Sequence, residues 1–213
     1  MIRKIGLTGG LASGKSQVAE LLAALLNCVH IDADEVCRHL LEPKEEGWQE
    51  LTRVFGSRYL TENGSVNRPL LRKSIFADEK FRLQVNEIIH PLVKRTIVTQ
   101  MDSILGSAEN SRVLVEVPLL YEVQWENLFD TVVVVYADYE ICLRRLMSRD
   151  AATRSVAVKE LESQLPLSEK ALKGDYVIDN SGMLPDTNNQ VMHLADLLKN
   201  NGQEREKKLD SKK

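Results

Sequence analysis

No stretch of the sequence approaches the ~18 consecutive apolar residues that a membrane-spanning helix requires, so no membrane partner is expected. There is no basic excess either: 28 Lys and Arg face 31 Asp and Glu, for a net charge of −3. Proteins that grip nucleic acid by its phosphates usually carry a basic surplus, and nucleic acid is therefore not expected as a partner. Cysteine is scarce, at Cys28, Cys37 and Cys142. An odd number without a C-x-x-C pair argues against a disulfide or zinc framework and for free thiols in a reducing compartment. The opening MIRKIGLTGG leads straight into a phosphate-binding pattern, not an apolar leader. No signal peptide is expected, and the expected location is the cytoplasm. The four histidines, His30, His39, His90 and His193, show no metal-ligand spacing with a second His or Cys.

What is present is an alternation of strand and helix signals. IRKIGL (2–7), CVHI (28–31), VLVEVP (113–118), TVVVVYA (131–137) and YVID (176–179) are apolar and often β-branched, as in buried parallel strands. Helical patterns follow at about 15–27, 34–42, 46–55, 138–150, 155–164 and 186–199. From Arg68 to about Gly106 the pattern is helical throughout, with a break or kink expected at His90-Pro91, because the residue before a proline favours extended backbone. NGS at 63–65 reads as a turn, and the polar stretch from about residue 201 reads as a disordered tail. Strands alternating with helices imply a parallel sheet covered on both faces.

Residues 9–16 read GGLASGKS, which is G-x-x-x-x-G-K-[ST]. The loop must wrap so that successive backbone N–H groups point at one phosphate, and glycine tolerates the dihedrals this needs. Gly9, Gly10, Ala12, Ser13, Gly14, Lys15, Ser16 and Gln17 are the expected nucleotide-binding residues. Lys15 reaches the β- and γ-phosphates, and the Ser16 hydroxyl is the expected Mg²⁺ ligand. The motif sits between a strand and an amphipathic helix, as a true phosphate loop must. The expected cofactors are ATP and Mg²⁺. No N-K-x-D guanine reader occurs, which leaves an adenine-nucleotide kinase as the better fit.

Asp32 follows the second strand, at the carboxyl end of the sheet where an acceptor must lie. It can take the proton of an attacking hydroxyl, or it can cap the next helix. Asp34 suits a cap, a helix-dipole partner or an outer Mg²⁺ role. Arg145 and Arg149 are i and i+4 on one predicted helix that also carries Arg144. They are either a lid over the γ-phosphate or a solvated basic face. His90 is either aimed at a ligand by the expected kink or marks a structural break.

These residues resemble the dephospho-CoA kinase family. The matching segments are GLTGGLASGKS (6–16), HIDADEV (30–36), Asn67-Arg68, His90-Pro91, VPLLYE (117–122), RLMSRD (145–150), Gln164 and VIDNSG (177–182). The resemblance implies a three-layer α/β P-loop NTPase core with a parallel sheet, a helical substrate-binding insertion and a small lid. The core would span about 1–34 and 112–200, the insertion about 35–111 and the lid about 142–168. It also implies transfer of the γ-phosphoryl of ATP to the ribose 3′-hydroxyl of dephospho-CoA. In this scheme Asp32 is the catalytic base, and Lys15, Arg145 and Arg149 are catalytic. Asn180 lies near the adenine, and Asp34, Arg68 and His90 lie on the acceptor side. The sequence departs from the family pattern at Gln17, Ala12 and Cys142, where Thr, Gly and Gln are common. Ala12 is expected to be tolerated at a negative φ.

Overall fold

A computed structural model describes residues 2–108 and 111–210, the last ten by their backbone alone. The chain divides into two compact units, Met1–Ile31 with Met101–Lys213, and Asp32–Gln100. The sequence reading put the corresponding boundaries after residues 34 and 111.

The first unit is built on a five-stranded sheet: β1 (Lys4–Gly9), β2 (Val29–Asp32), β3 (Val113–Glu116), β4 (Thr131–Tyr136) and β5 (Tyr176–Asp179). The order is β2-β3-β1-β4-β5, and β1 pairs in parallel with β3 and β4, as β4 does with β5. Each parallel pairing needs a crossover, which the helices supply. The helices of the first unit are α1 (Lys15–Leu26), α6 (Tyr139–Asp150), α7 (Arg154–Glu162), α8 (Leu167–Lys173) and, after the last strand, α9 (Leu184–Asp210); the four numbered between α1 and α6 follow β2. Side chains alternate across a strand. On one face Ile5, Leu7, Leu114, Val133 and Val135 pack with Leu22 of α1 and Leu194 and Leu198 of α9. On the other, Gly6 lies so close to Phe129 and Leu120 that a Cβ there would stand 2.7 Å from the Phe129 ring. The result is the three-layer α/β arrangement of a P-loop NTPase.

The polar stretch from residue 201 was expected to be a disordered tail, but it carries helical backbone to Asp210 as the end of α9. Its side chains and residues 211–213 lie outside the described residues.

The second unit is helical: α2 (Ala33–Leu40), α3 (Glu46–Phe55), α4 (Arg68–Ala77) and the first part of α5 (Glu79–Ser107). Gly56, at φ 63, ends α3 where the sequence places its end. The NGS turn is present, with Leu60 and Val66 bridged around Gly64 at φ 80. The rings of Phe55, Tyr59 and Phe81 cluster at 4.9–5.9 Å between centroids. The expected break at His90-Pro91 does not occur; α5 runs through Pro91, and His90 is helical. The break is at Asp78, whose Oδ1 accepts from the N–H groups of Lys80 and Phe81 and so caps α5. Proline removes one intrahelical donor, and 29 residues of helix absorb that loss.

Candidate active site

The phosphate loop leaves β1 at its carboxyl end, between β3 and β4. Gly9 has no room for a side chain, since a Cβ would sit 2.7 Å from Ser13 Oγ and 2.8 Å from the Val135 carbonyl. Gly14 has φ 87, and a Cβ there would run into Asn180 Nδ2. The condition under which Ala12 was to be tolerated is not met: its φ is 58, in the left-handed region. Its methyl packs against the cluster of Leu143, Leu146 and Ala157, which offsets part of the backbone strain. Helix α1 starts at Gly14 without a side-chain cap, so its first N–H groups remain available to an anion. Gly10 packs under Leu167 of α8, Ser13 is buried, and Gln17 is exposed.

Ser16 Oγ donates to Glu116 Oε1 at 2.7 Å. Glu116 ends β3, and its other oxygen lies 3.3 Å from His30 Nε2, an ion-pair approach less well aligned than the Ser16 bond. Burial pushes the Glu116 carboxyl up, but His30, Ser16 and the Lys15 charge outweigh it and leave the pKa below the usual carboxylate value. Glu116 was missed in the sequence. Its signal was a single acid closing the apolar run VLVE, a costly place for a charge unless it is paired. A hydroxyl whose proton is held by a carboxylate turns its lone pairs outward, and a hard oxygen set of this kind fits Mg²⁺. Among the described residues no cluster of three or more His, Cys, Asp or Glu could hold a metal ion.

Asn180, at the end of β5, is a brace. Its Nδ2 donates to Ser13 O at 2.7 Å, its Oδ1 accepts from Thr187 Oγ1 at 2.9 Å, and its carbonyl accepts from Arg145 Nη2 at 3.1 Å. Both ends of the side chain are thus engaged, one on the phosphate loop and the other on α9. Among the described residues, Arg145 Nη1 is buried without a hydrogen-bond partner. Arg149 is turned elsewhere and binds Asp150 through Nε and Nη2 at 2.7 and 3.1 Å. The two arginines share a helix but have different partners.

Two further features border the loop. A cavity of about 370 Å³, lined among others by Tyr136, Tyr139, Cys142, Leu165 and Leu167, opens beside the carboxyl end of β4. Lys170 of α8 is fully buried, donating to Glu122 Oε1 and to Pro118 O, both at 2.8 Å. Burial pulls its pKa down, Glu122 opposes this, and the Lys15 charge adds to it. Thr8 Oγ1, next to the loop, also donates to Pro118 O.

In the second unit Asp32 is the N-cap of α2: its Oδ1 accepts from Asp34 N–H at 2.8 Å. Its Oδ2 lies 3.4 Å from Arg38 Nη2. Arg68 donates to the Arg38 carbonyl at 2.8 Å. Arg38 therefore joins Asp32 and Arg68 in one group, which the sequence did not indicate. Burial lowers the pKa of His90 on α5. The three thiols are all raised, first by burial: Cys28, Cys142 and Cys37, the last to about 11.

A family model described as dephospho-CoA kinase matches residues 3–186. The chain belongs to the dephospho-CoA kinase family. A relative of that name from Bacillus licheniformis is 40% identical over 196 residues, covering 92% of this chain and 96% of its own. Another, from Desulfotalea psychrophila, is 36% identical over 192 residues, covering 90% and 96%. Among solved structures, a dephospho-CoA kinase from Campylobacter jejuni superposes with a TM-score of 0.67 at 26% identity, covering 93% of this chain and 98% of that one. A Thermus thermophilus protein gives 0.73 at 30% identity, covering 92% and 96%. A shikimate kinase from Acinetobacter baumannii gives 0.51 at 17% identity, covering 94% and 95%, a likeness of fold alone. The enzyme is a kinase, and among its described residues no helix is long and apolar enough to cross a membrane.

Proposed function

We propose that the enzyme transfers the γ-phosphoryl group of ATP, with Mg²⁺, to the ribose 3′-hydroxyl of dephospho-CoA, the last step of coenzyme A synthesis, in the cytoplasm. The observation that carries the nucleotide half is the glycine-clamped loop, with an uncapped helix start, Lys15, and a Ser16 hydroxyl aligned by Glu116. Family membership carries the acceptor.

In this reading the N–H groups at the start of α1 hold the β-phosphate, and Lys15 spans the β- and γ-phosphates. Arg145 offers its unengaged Nη1 to a phosphate oxygen, which would satisfy a buried charged donor. Bound Mg²⁺ would neutralise phosphate charge, and Ser16 is the residue that would hold it, with Glu116 behind. Asp32 takes the proton of the attacking hydroxyl, while Asp34, Arg68 and His90 belong to the acceptor side. Phosphoryl transfer has a loose transition state, so positioning and charge stabilisation do most of the work and proton removal comes late.

The test is ADP formation with ATP, Mg²⁺ and a panel of acceptors. Turnover is expected with dephospho-CoA, and little with AMP or shikimate. Brisk turnover of AMP with none of dephospho-CoA would refute the acceptor.

A further inference from the structure

A polar chain three residues deep runs through the first unit, from the start of α1 to the edge of the sheet. Ser16 Oγ donates to Glu116 Oε1 at 2.7 Å, and Glu116 Oε2 stands 3.3 Å from His30 Nε2. The three residues belong to α1, β3 and β2, and β2 neighbours β3 in the sheet. The Glu116 side chain is 3% exposed and that of His30 is 24% exposed. Only the first of the three belongs to the phosphate-loop motif.

We propose that His30 is a positioning residue for the metal-binding hydroxyl. It holds the Glu116 carboxylate in the rotamer in which Oε1 takes the Ser16 proton, so that the Ser16 lone pairs face the divalent cation. The inference rests on the reading that Mg²⁺ and ATP sit at this loop.

The argument is one of rotors. A serine hydroxyl carries one hydrogen and two lone pairs, and its torsion is free unless an acceptor fixes it. With the hydrogen on Glu116, the lone pairs point away from the carboxylate. With the hydrogen loose, many orientations turn it toward the cation, which repels it. Glu116 can fix the hydrogen only while it stays in place. A carboxylate this buried is driven toward solvent unless both oxygens find donors. Ser16 serves one oxygen. An imidazole with its proton on Nε2 serves the other, from a rigid strand. His30 thus acts on the metal through two intermediaries, as partners behind metal ligands commonly do.

The experiment measures the affinity of the full-length protein for a non-hydrolysable ATP analogue by calorimetry, in Mg²⁺ and in EDTA. His30→Ala and His30→Leu remove the donor, with and without leaving a gap, and His30→Gln supplies an amide N–H. In the first two, affinity in Mg²⁺ should fall roughly tenfold while affinity in EDTA stays within about twofold of wild type. His30→Gln should recover most of the loss. In a Glu116→Gln background His30→Ala should add little, because the route through the carboxylate is already cut. Equal losses in Mg²⁺ and EDTA, no loss in either, or fully additive losses in the double variant would each overturn the proposal. If the wild-type protein itself binds the analogue equally in Mg²⁺ and EDTA, the reading of the loop falls, and this proposal with it. A normal wild-type response with an unchanged response in His30→Ala overturns the proposal alone.

Discussion

At Ala12 three small effects compete. Left-handed backbone costs a non-glycine residue about 1–2 kcal/mol. Glycine there would remove that cost, but it gives back about 0.4–1 kcal/mol in unfolded-state entropy and loses a packed methyl. Ala12→Gly is therefore expected to shift stability by less than about 1 kcal/mol. Ala12→Val puts a β-branched side chain at φ 58 and should lose at least about 1 kcal/mol, read from thermal unfolding. Equal melting temperatures for the two variants would contradict the strained backbone. Asp32 poses a different contest, between cap and base. Asn caps nearly as well as Asp, so Asp32→Asn should keep the bond to Asp34 N–H. The lost pairing with the exposed Arg38 is worth little. Melting should barely move while kcat drops at least roughly tenfold, since an amide cannot accept the proton. Normal turnover in this variant would leave Asp32 with the cap alone. The loop residues were legible because glycine at fixed spacing is demanded by backbone geometry. Glu116 and Arg38 were not, because their meaning lies in partners far away or off the motif.

Strands β1 to β5 and helices α1 to α3 and α6 are visible in the pattern of apolar residues, to within a residue or two at most ends. One element was misread and one was missed, both for physical reasons. In α5 the proline looked like a breaker, yet a long helix with a firm Asp78 cap tolerates it. In α8 seven residues are too few for a periodic signal, and its central residue is a buried lysine that composition alone would place outside. Lys170 anchors α8 through Glu122 and Pro118, and Glu122 in turn accepts from the Leu165 N–H. Removing one member leaves the other charge uncompensated in a poorly solvated place. Lys170→Met should therefore cost about 3 kcal/mol, and the double variant with Glu122→Leu should recover part of it. Chemical denaturation of the two variants provides the check. An unchanged midpoint for Lys170→Met would show that the pair contributes nothing.

For the molecule as a whole, the α/β class follows from strand–helix alternation, but the strand order does not. Five parallel strands can be threaded in several ways, and the placement of β1 between β3 and β4 depends on which crossovers pack best. The helical block between α/β stretches was visible in the sequence, while the compact units divide at the end of β2 and inside α5, places that no composition shift marks. The three partly or fully buried thiols have a consequence for the chemistry the enzyme lives beside. Coenzyme A is itself a thiol, and its oxidised forms exchange with whatever thiolates they meet. Burial raises the pKa of Cys28, Cys142 and Cys37, the last to about 11, and so disfavours the thiolate that such exchange requires. The placement of these cysteines therefore works against a mixed disulfide between the enzyme and coenzyme A.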